Sequence, residues 1–139
     1  MVVIRRATSA DAEAVLKLTA GFAVSFVVEA AAFRASFEAV ITQADTCLFV
    51  AEADAAVIGY LLGFEHPTLR ANGPVAWVDE LAVREAQQRS GVGRALMQAF
   101  EGWARERKNA LVALATRRAG PFYEAIGYEE SAAYYRKFL

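Results

Sequence analysis

The spacing of apolar positions changes period several times along the chain, and each change marks an element. Val2-Val3-Ile4-Arg5 is a short β-branched run and predicts a strand. Ser9 then reads as a helix N-cap. Asp11 and Glu13 fall in the first turn, where the helix dipole favours acids, and the helix runs to about Ala20. Residues 22–41 read as a second helix, because Phe22, Phe26, Phe33 and Phe37 recur at spacings of 4, 7 and 4 on one face. Such a stripe serves as core packing or as the lip of a ligand site. Residues 47–51 and 57–62 are strands joined by the short acidic turn 52–56, an antiparallel hairpin. A loop over residues 66–74 follows, with Pro67, Asn72 and Gly73.

The second half of the chain alternates strand and helix. Residues 75–83 form a strand that is apolar on both faces except at Asp79 and Glu80. Ser90-Gly91 opens a long helix to about Lys108, with Val92, Leu96, Phe100 and Trp103 on its buried face. Residues 111–115 read as a buried strand, 119–126 as a short helix, and 128–139 as one or two final strands. Without a repeat, a low-complexity tract or a linker, residues 1–139 read as one α/β domain with a mixed sheet. A chain of 139 residues suits a single core.

Composition then removes whole classes. A hydrophobic share of 56% with 22% charged residues is too apolar for a disordered chain. The net charge of -1 argues against a dedicated nucleic-acid binder, which needs excess positive charge to neutralise phosphates. Cys47 alone forms no intrachain disulfide, and one Cys with one His builds no metal site of the usual kind. Uncharged stretches such as residues 18–28 are too short to span a bilayer, and the start shows no signal-peptide core, so a cytosolic location is expected. The charge is nevertheless unevenly spread. Residues 1–74 carry 5 basic and 8 acidic groups, residues 75–139 carry 10 and 8, and 12 of the 15 basic residues are Arg. The Arg fork suits phosphate oxygens, which hints at an anionic ligand in the C-terminal half.

The chemistry concentrates where the strand Val78-Asp79-Glu80-Leu81-Ala82-Val83 meets the helix start Gln88-Arg89-Ser90-Gly91-Val92-Gly93-Arg94. A helix start offers free N–H groups and partial positive charge, which suits a pyrophosphate. Gly91 and Gly93 let phosphates approach the backbone, and Arg89 and Arg94 add charge-assisted hydrogen bonds. Two familiar phosphate motifs fail here. A P-loop needs Lys-Ser/Thr after its glycines, where this chain has Arg94-Ala95, and the dinucleotide fingerprint needs a third Gly or Ala, where it has Leu96.

The spacing Gln88-x-x-Gly91-x-Gly93 after Leu81-Ala82-Val83 resembles the acyl-coenzyme A loop of GNAT-type N-acetyltransferases. The stretch Thr116-Arg117-Arg118-Ala119-Gly120-Pro121-Phe122-Tyr123, with Gly127-Tyr128 beyond it, is similar to that family's closing helix. Ile4-Arg5-Arg6-Ala7-Thr8 with Asp11-Ala12-Glu13 is similar to its first strand and helix. The resemblance implies a mixed, mostly antiparallel sheet with helices on both faces, and acetyl-coenzyme A as cosubstrate without a metal. It implies that Leu81 and Val83 offer backbone groups to the pantetheine arm. A bulge would splay their strand from residues 111–115, leaving a slot. Gln88, Arg89, Ser90, Gly91, Val92, Gly93 and Arg94 would form the pyrophosphate loop. Tyr123 matches the position that protonates the departing thiolate in many members. Thr116 stands where many relatives have a cofactor-contacting Asn, and it keeps one donor and one acceptor. Pro121 fits the closing helix only in its first turn.

The reaction asks for the same parts. An amine acceptor is mostly protonated near neutral pH and must lose a proton before it attacks a thioester. Asp79 or Glu80 is the expected base, directly or through water, with Asp79 favoured. The expected acceptor is a small-molecule or peptide amine, contacted by residues 20–45 and 64–74, whose composition suggests an apolar cleft. Transfer would proceed by direct attack, because no credible covalent nucleophile is present. A non-catalytic acyl-coenzyme A sensor on the same scaffold is the alternative. Exposed Phe on the second helix would suit a homodimer contact. His66 reads as a surface residue, Cys47 as a buried inert thiol, and Glu101 and Arg105 as a surface ion pair. Arg89 and Arg94 are expected to face phosphates. Arg117 and Arg118 would border the site, and the other basic groups of this half would be mostly solvated.

Overall fold

The computed structural model describes residues 1–22 and 26–139. Five strands form one sheet in sequence order: β1 (Val2–Arg6), β2 (Thr46–Ala53), β3 (Ala56–His66), β4 (Val75–Val83) and β5 (Leu111–Leu114). Pairing is antiparallel through β4 and parallel between β4 and β5. The parallel step requires a crossover, which α3 (Val92–Glu106) supplies. Helices α1 (Ala12–Phe22) and α2 (Ala30–Thr42) cover the opposite face, so the sheet separates two cores. Leu96, Met97 and Phe100 of α3 are fully buried against Ile58 and Leu61. On the other face Val15, Leu18 and Phe37 pack on Leu48, Val50 and Tyr60. Among the described residues no helix is long and apolar enough to cross a membrane.

Local chemistry explains the element boundaries. Thr8, one residue before the expected cap, starts the first helical turn, because the Thr8 N–H donates to Asp11 Oδ2 at 2.8 Å. Asp11 also accepts two hydrogen bonds from the Arg5 guanidinium, each 2.9 Å, which ties β1 to the helix start and displaces Ser9 from the capping role. The β2–β3 turn places Asp54 at φ 51° and Ala55 at φ 62°, the paired left-handed conformation of a two-residue hairpin. Gly63 has no alternative, since a Cβ there would lie 2.2 Å from the Phe100 ring.

Three expectations need correction. The second helix begins at Ala30, not at residue 22. Residues 26–28 are not helical, and Phe22's side chain and residues 23–25 lie outside what is described. The Phe stripe therefore splits: Phe37 is buried and stacks on Phe33, while Phe26 is exposed and meets Phe138 edge-on at 5.7 Å. No strand forms over residues 128–139. A strand needs a partner edge, and this aromatic tail pairs with none of the described strands; Tyr134, Tyr135 and Phe138 stay exposed. Arg107 is not merely solvated either. It bonds Glu65 at 2.9 Å and lies over the Trp103 ring at 5.0 Å.

Candidate active site

The centre of the site is an irregularity in β4. Gly63 of β3 pairs with Val78 and Leu62 pairs with Glu80, so Asp79 is an extra residue, a β-bulge. The bulge re-phases the strand. Ala76 and Val78 pack toward α3, and so do Leu81 and Val83, although the parity of their numbers differs. Glu80 is thereby turned toward the α1–α2 face, where it lines a cavity with Tyr60. Pairing of β4 with β5 also ends there, at Val78 opposite Leu114. From Asp79 onward, the β5-facing edge of β4 has no strand partner among the described residues. The bulge and the end of the β4–β5 ladder thus coincide.

Glu80 has one oxygen committed and one open. Its Oε1 accepts a 2.7 Å hydrogen bond from the Tyr60 hydroxyl, whose own pKa is pushed well above that of a free phenol by burial first and by Glu80 second. Glu80 and Tyr60 sit at the base of a cavity of about 320 Å³ between α1, α2 and the sheet. Asp79 reaches solvent, yet surrounding protein raises its pKa by desolvation, which a hydrogen bond from Trp77 partly opposes. Tyr60 was not legible in the sequence as a site residue. A phenol inside an otherwise apolar strand was the available signal, but only the hairpin register shows that it faces Glu80.

Beyond the open edge of β4 the chain makes a short helical turn, Glu85–Gln87, and then a phosphate-sized loop. Arg89 has φ 65° and Gly91 φ 90°, left-handed positions within a few residues of the α3 start. Alternation of this kind turns successive N–H groups to one side as an anion nest. None of the N–H groups from Arg89 to Arg94 makes a well-formed hydrogen bond to another described residue. The loop is braced from behind. Gln88 Nε2 donates to the Val83 carbonyl at 3.0 Å, and the Ser90 hydroxyl donates to the Gln87 carbonyl. The Val83 carbonyl is thus engaged within the chain, whereas the Leu81 edge has no strand opposite it. Val92 is buried as the first α3 anchor. Gly93 faces Phe122, and a Cβ there would come within 3.3 Å of that ring. Arg89 and Arg94 are both exposed beside the loop, as are Arg117 and Arg118.

The short helix α4 (Gly120–Ala125) carries Tyr123, with Pro121 in its first turn as the sequence requires. Thr116 Oγ1 accepts from the Ala119 N–H at 3.0 Å, which steadies the turn into α4 and leaves the hydroxyl proton as a donor. Tyr123 packs edge-on against Phe122 at 4.9 Å and Tyr128 at 6.0 Å. Burial pushes its pKa up, so it keeps its proton through the neutral range. Its hydroxyl has no hydrogen-bond partner among the described residues, whereas the neighbouring Tyr128 hydroxyl donates to Glu101 at 2.6 Å. Cys47 is fully buried with its thiol pushed up to about 11 by desolvation, which makes it a poor nucleophile. His66 is exposed and hydrogen-bonded only to the adjacent Pro67 carbonyl.

Comparison with known proteins gives this chain a family. Residues 14–128 match the family model "Acetyltransferase (GNAT) family". No curated protein matches the chain by sequence. Solved structures share the fold at low identity. A transcriptional regulator from Bacillus halodurans C-125 is 23% identical, with TM-score 0.91 and 100% of both chains covered. Glucosamine-6-phosphate N-acetyltransferase from Arabidopsis thaliana is 17% identical, with TM-score 0.87 over 99% of this chain and 98% of that one. The aminoglycoside N-acetyltransferase AAC(6')-Iy in complex with CoA is 21% identical, with TM-score 0.86 over 99% and 95%. With most of its length matched by that family model, the chain belongs to the GNAT family of acetyltransferases.

Proposed function

We propose that residues 1–139 act as one catalytic unit that transfers an acetyl group from acetyl-coenzyme A to an amine. The observation that carries this reading is the β4 bulge. It lies where the β4–β5 ladder ends, beside the loop that begins α3, and next to Glu80, which lines the cavity on the other side. The residues suit the cosubstrate. Free N–H groups from Arg89 to Arg94 are matched to a pyrophosphate, and the bare Leu81 edge is matched to an extended amide-bearing arm. Bound there, acetyl-coenzyme A supplies an activated acyl group and a thiolate leaving group.

Glu80 takes the proton of the incoming ammonium on its free Oε2, with Tyr60 holding Oε1 and fixing the orientation of the carboxylate. The cavity lining supports Glu80 over Asp79 for this step, because Glu80 borders the cavity and Asp79 does not. Asp79 adds negative charge at the bulge and is the second candidate. The freed amine forms its C–N bond to the acyl carbon as the C–S bond breaks, and Tyr123 gives its Oη proton to the departing sulfur. Of the two protons the ammonium sheds, one passes through Glu80 to bulk water, and the other, lost from the substituted nitrogen, restores Tyr123 through solvent. The measurement is thiol release from acetyl-coenzyme A against a panel of amines. Tyr123→Phe and Glu80→Gln are expected to lower kcat by about a hundredfold each, within the usual range for a lost acid or base. Coenzyme A affinity should change little. Amine-independent coenzyme A binding without turnover would instead support the sensor alternative.

A further inference from the structure

The cavity above Glu80 has a composition that selects among amines. We infer that the acceptor is a monocationic amine with a compact apolar body, aliphatic or aryl, held between α1, α2 and the sheet with its ammonium at Glu80. This assignment concerns the acceptor side of the acetyl transfer proposed above and rests on it. The cavity of about 320 Å³ is at the small end for ligand sites. Its wall is made by Val15, Val28, Phe33, Phe37, Val40 and Leu62, with the Phe33 and Phe37 rings stacked at 5.6 Å. Among the described residues its charged lining groups are Glu80, bonded to Tyr60, and Glu29, exposed on α2's N-terminal side.

That inventory argues by elimination. No Arg, Lys or His lines the cavity among the described residues, so a phosphorylated sugar would bury its dianion beside two carboxylates. A polyol or aminoglycoside would lose its hydration without replacement, because the polar lining beyond the acids is sparse. The Thr19 hydroxyl already donates to the Leu16 carbonyl at 2.7 Å, leaving the Ser36 and Tyr60 hydroxyls, and Tyr60 is committed to Glu80. A polyamine could place its second charge only at Glu29, an exposed carboxylate where water screens the pairing, and its remaining length would lie against Val and Phe. An amine with one charge and an apolar body matches Glu80 and the apolar walls of the cavity. In this it differs from the aminoglycoside and amino-sugar phosphate named for the structural neighbours.

Titration calorimetry on the unliganded protein tests this with 2-phenylethylamine, spermidine and glucosamine 6-phosphate. 2-Phenylethylamine is expected to bind at least about tenfold more tightly than either of the others. Glu80→Gln should weaken it by about tenfold or more, because the charge partner of the ammonium is lost. Ala32→Phe, placed on an exposed position of α2 that lines the cavity, should weaken it comparably by filling the space. Failure to bind, a preference for spermidine or the phosphosugar, or indifference to both substitutions would overturn the assignment. A parallel titration with coenzyme A separates the two levels. Coenzyme A binding with no 2-phenylethylamine binding refutes the acceptor class alone, whereas absence of coenzyme A binding refutes the acetyl-transfer reading itself.

Discussion

Asp79 and Glu80 are chain neighbours at the bulge, but their surroundings differ. Glu80 is oriented by Tyr60, and Tyr60→Phe should leave the cavity shape intact while freeing that carboxylate to rotate, lowering kcat more than it changes acceptor KM. Asp79 is held above the ordinary carboxylate pKa by desolvation, so the folded protein binds its proton more tightly than the unfolded chain does. Stability linked to this group is therefore lost as pH rises from the ordinary carboxylate pKa through the raised one. Asp79→Asn should raise the Tm at pH 7 by a small margin, below about 1 kcal/mol given its solvent access, and the gain should vanish in acid. Asp11 behaves oppositely. Arg5 first, and the Thr8 N–H as well, depress its pKa, so its contribution is present above the ordinary carboxylate pKa and fades as pH falls through the lowered one. Asp11→Ala should cost about 2 kcal/mol in denaturant unfolding at pH 7, through a lost cap and a broken, nearly buried ion pair.

At the scale of elements, strain marks two turns with different purposes. Ala55 at φ 62° in the β2–β3 turn occupies a conformation that suits Gly, so Ala55→Gly should stabilise the protein by about 0.5–1 kcal/mol in thermal or denaturant unfolding. Arg89 and Gly91 carry the same kind of backbone in the anion nest. Gly91→Glu should abolish coenzyme A binding while costing about 1–2 kcal/mol of stability, because it adds both a Cβ at φ 90° and a negative charge at the proposed phosphate loop. The parts legible in the sequence were those set by local pattern. The hairpin, the buried face of α3, the Pro121 start of α4 and the glycine loop all follow from spacing. The bulge is invisible to pattern alone because it is a register shift between two strands, though the acidic pair in an apolar strand marks its position. The tail misled for the opposite reason. Tyr134, Tyr135 and Phe138 have strand propensity, but propensity reflects packing on a sheet edge, and no such pairing exists for these residues.

Across the whole molecule the sheet works as a partition. One core, built on α3, anchors the loop that begins that helix, and the other, under α1 and α2, encloses the cavity that Glu80 lines. The β4 bulge is where the two compartments communicate, since it is both the end of the β4–β5 ladder and the place where the acids emerge. The surplus of Arg in the C-terminal half also divides by location. Arg89 and Arg94 stand at the nest, whereas Arg107 is spent on Glu65 and Trp103 at the end of α3, away from it. Raising salt should therefore weaken coenzyme A binding through Arg89 and Arg94, while global stability responds little. The most direct test of the central claim is mass spectrometry of 2-phenylethylamine after incubation with acetyl-coenzyme A and the protein. The account predicts N-acetylated amine formed in step with free thiol, and strongly reduced formation with Glu80→Gln or Tyr123→Phe. Thiol release without acetylated product, or product formed equally well by both variants, would contradict it.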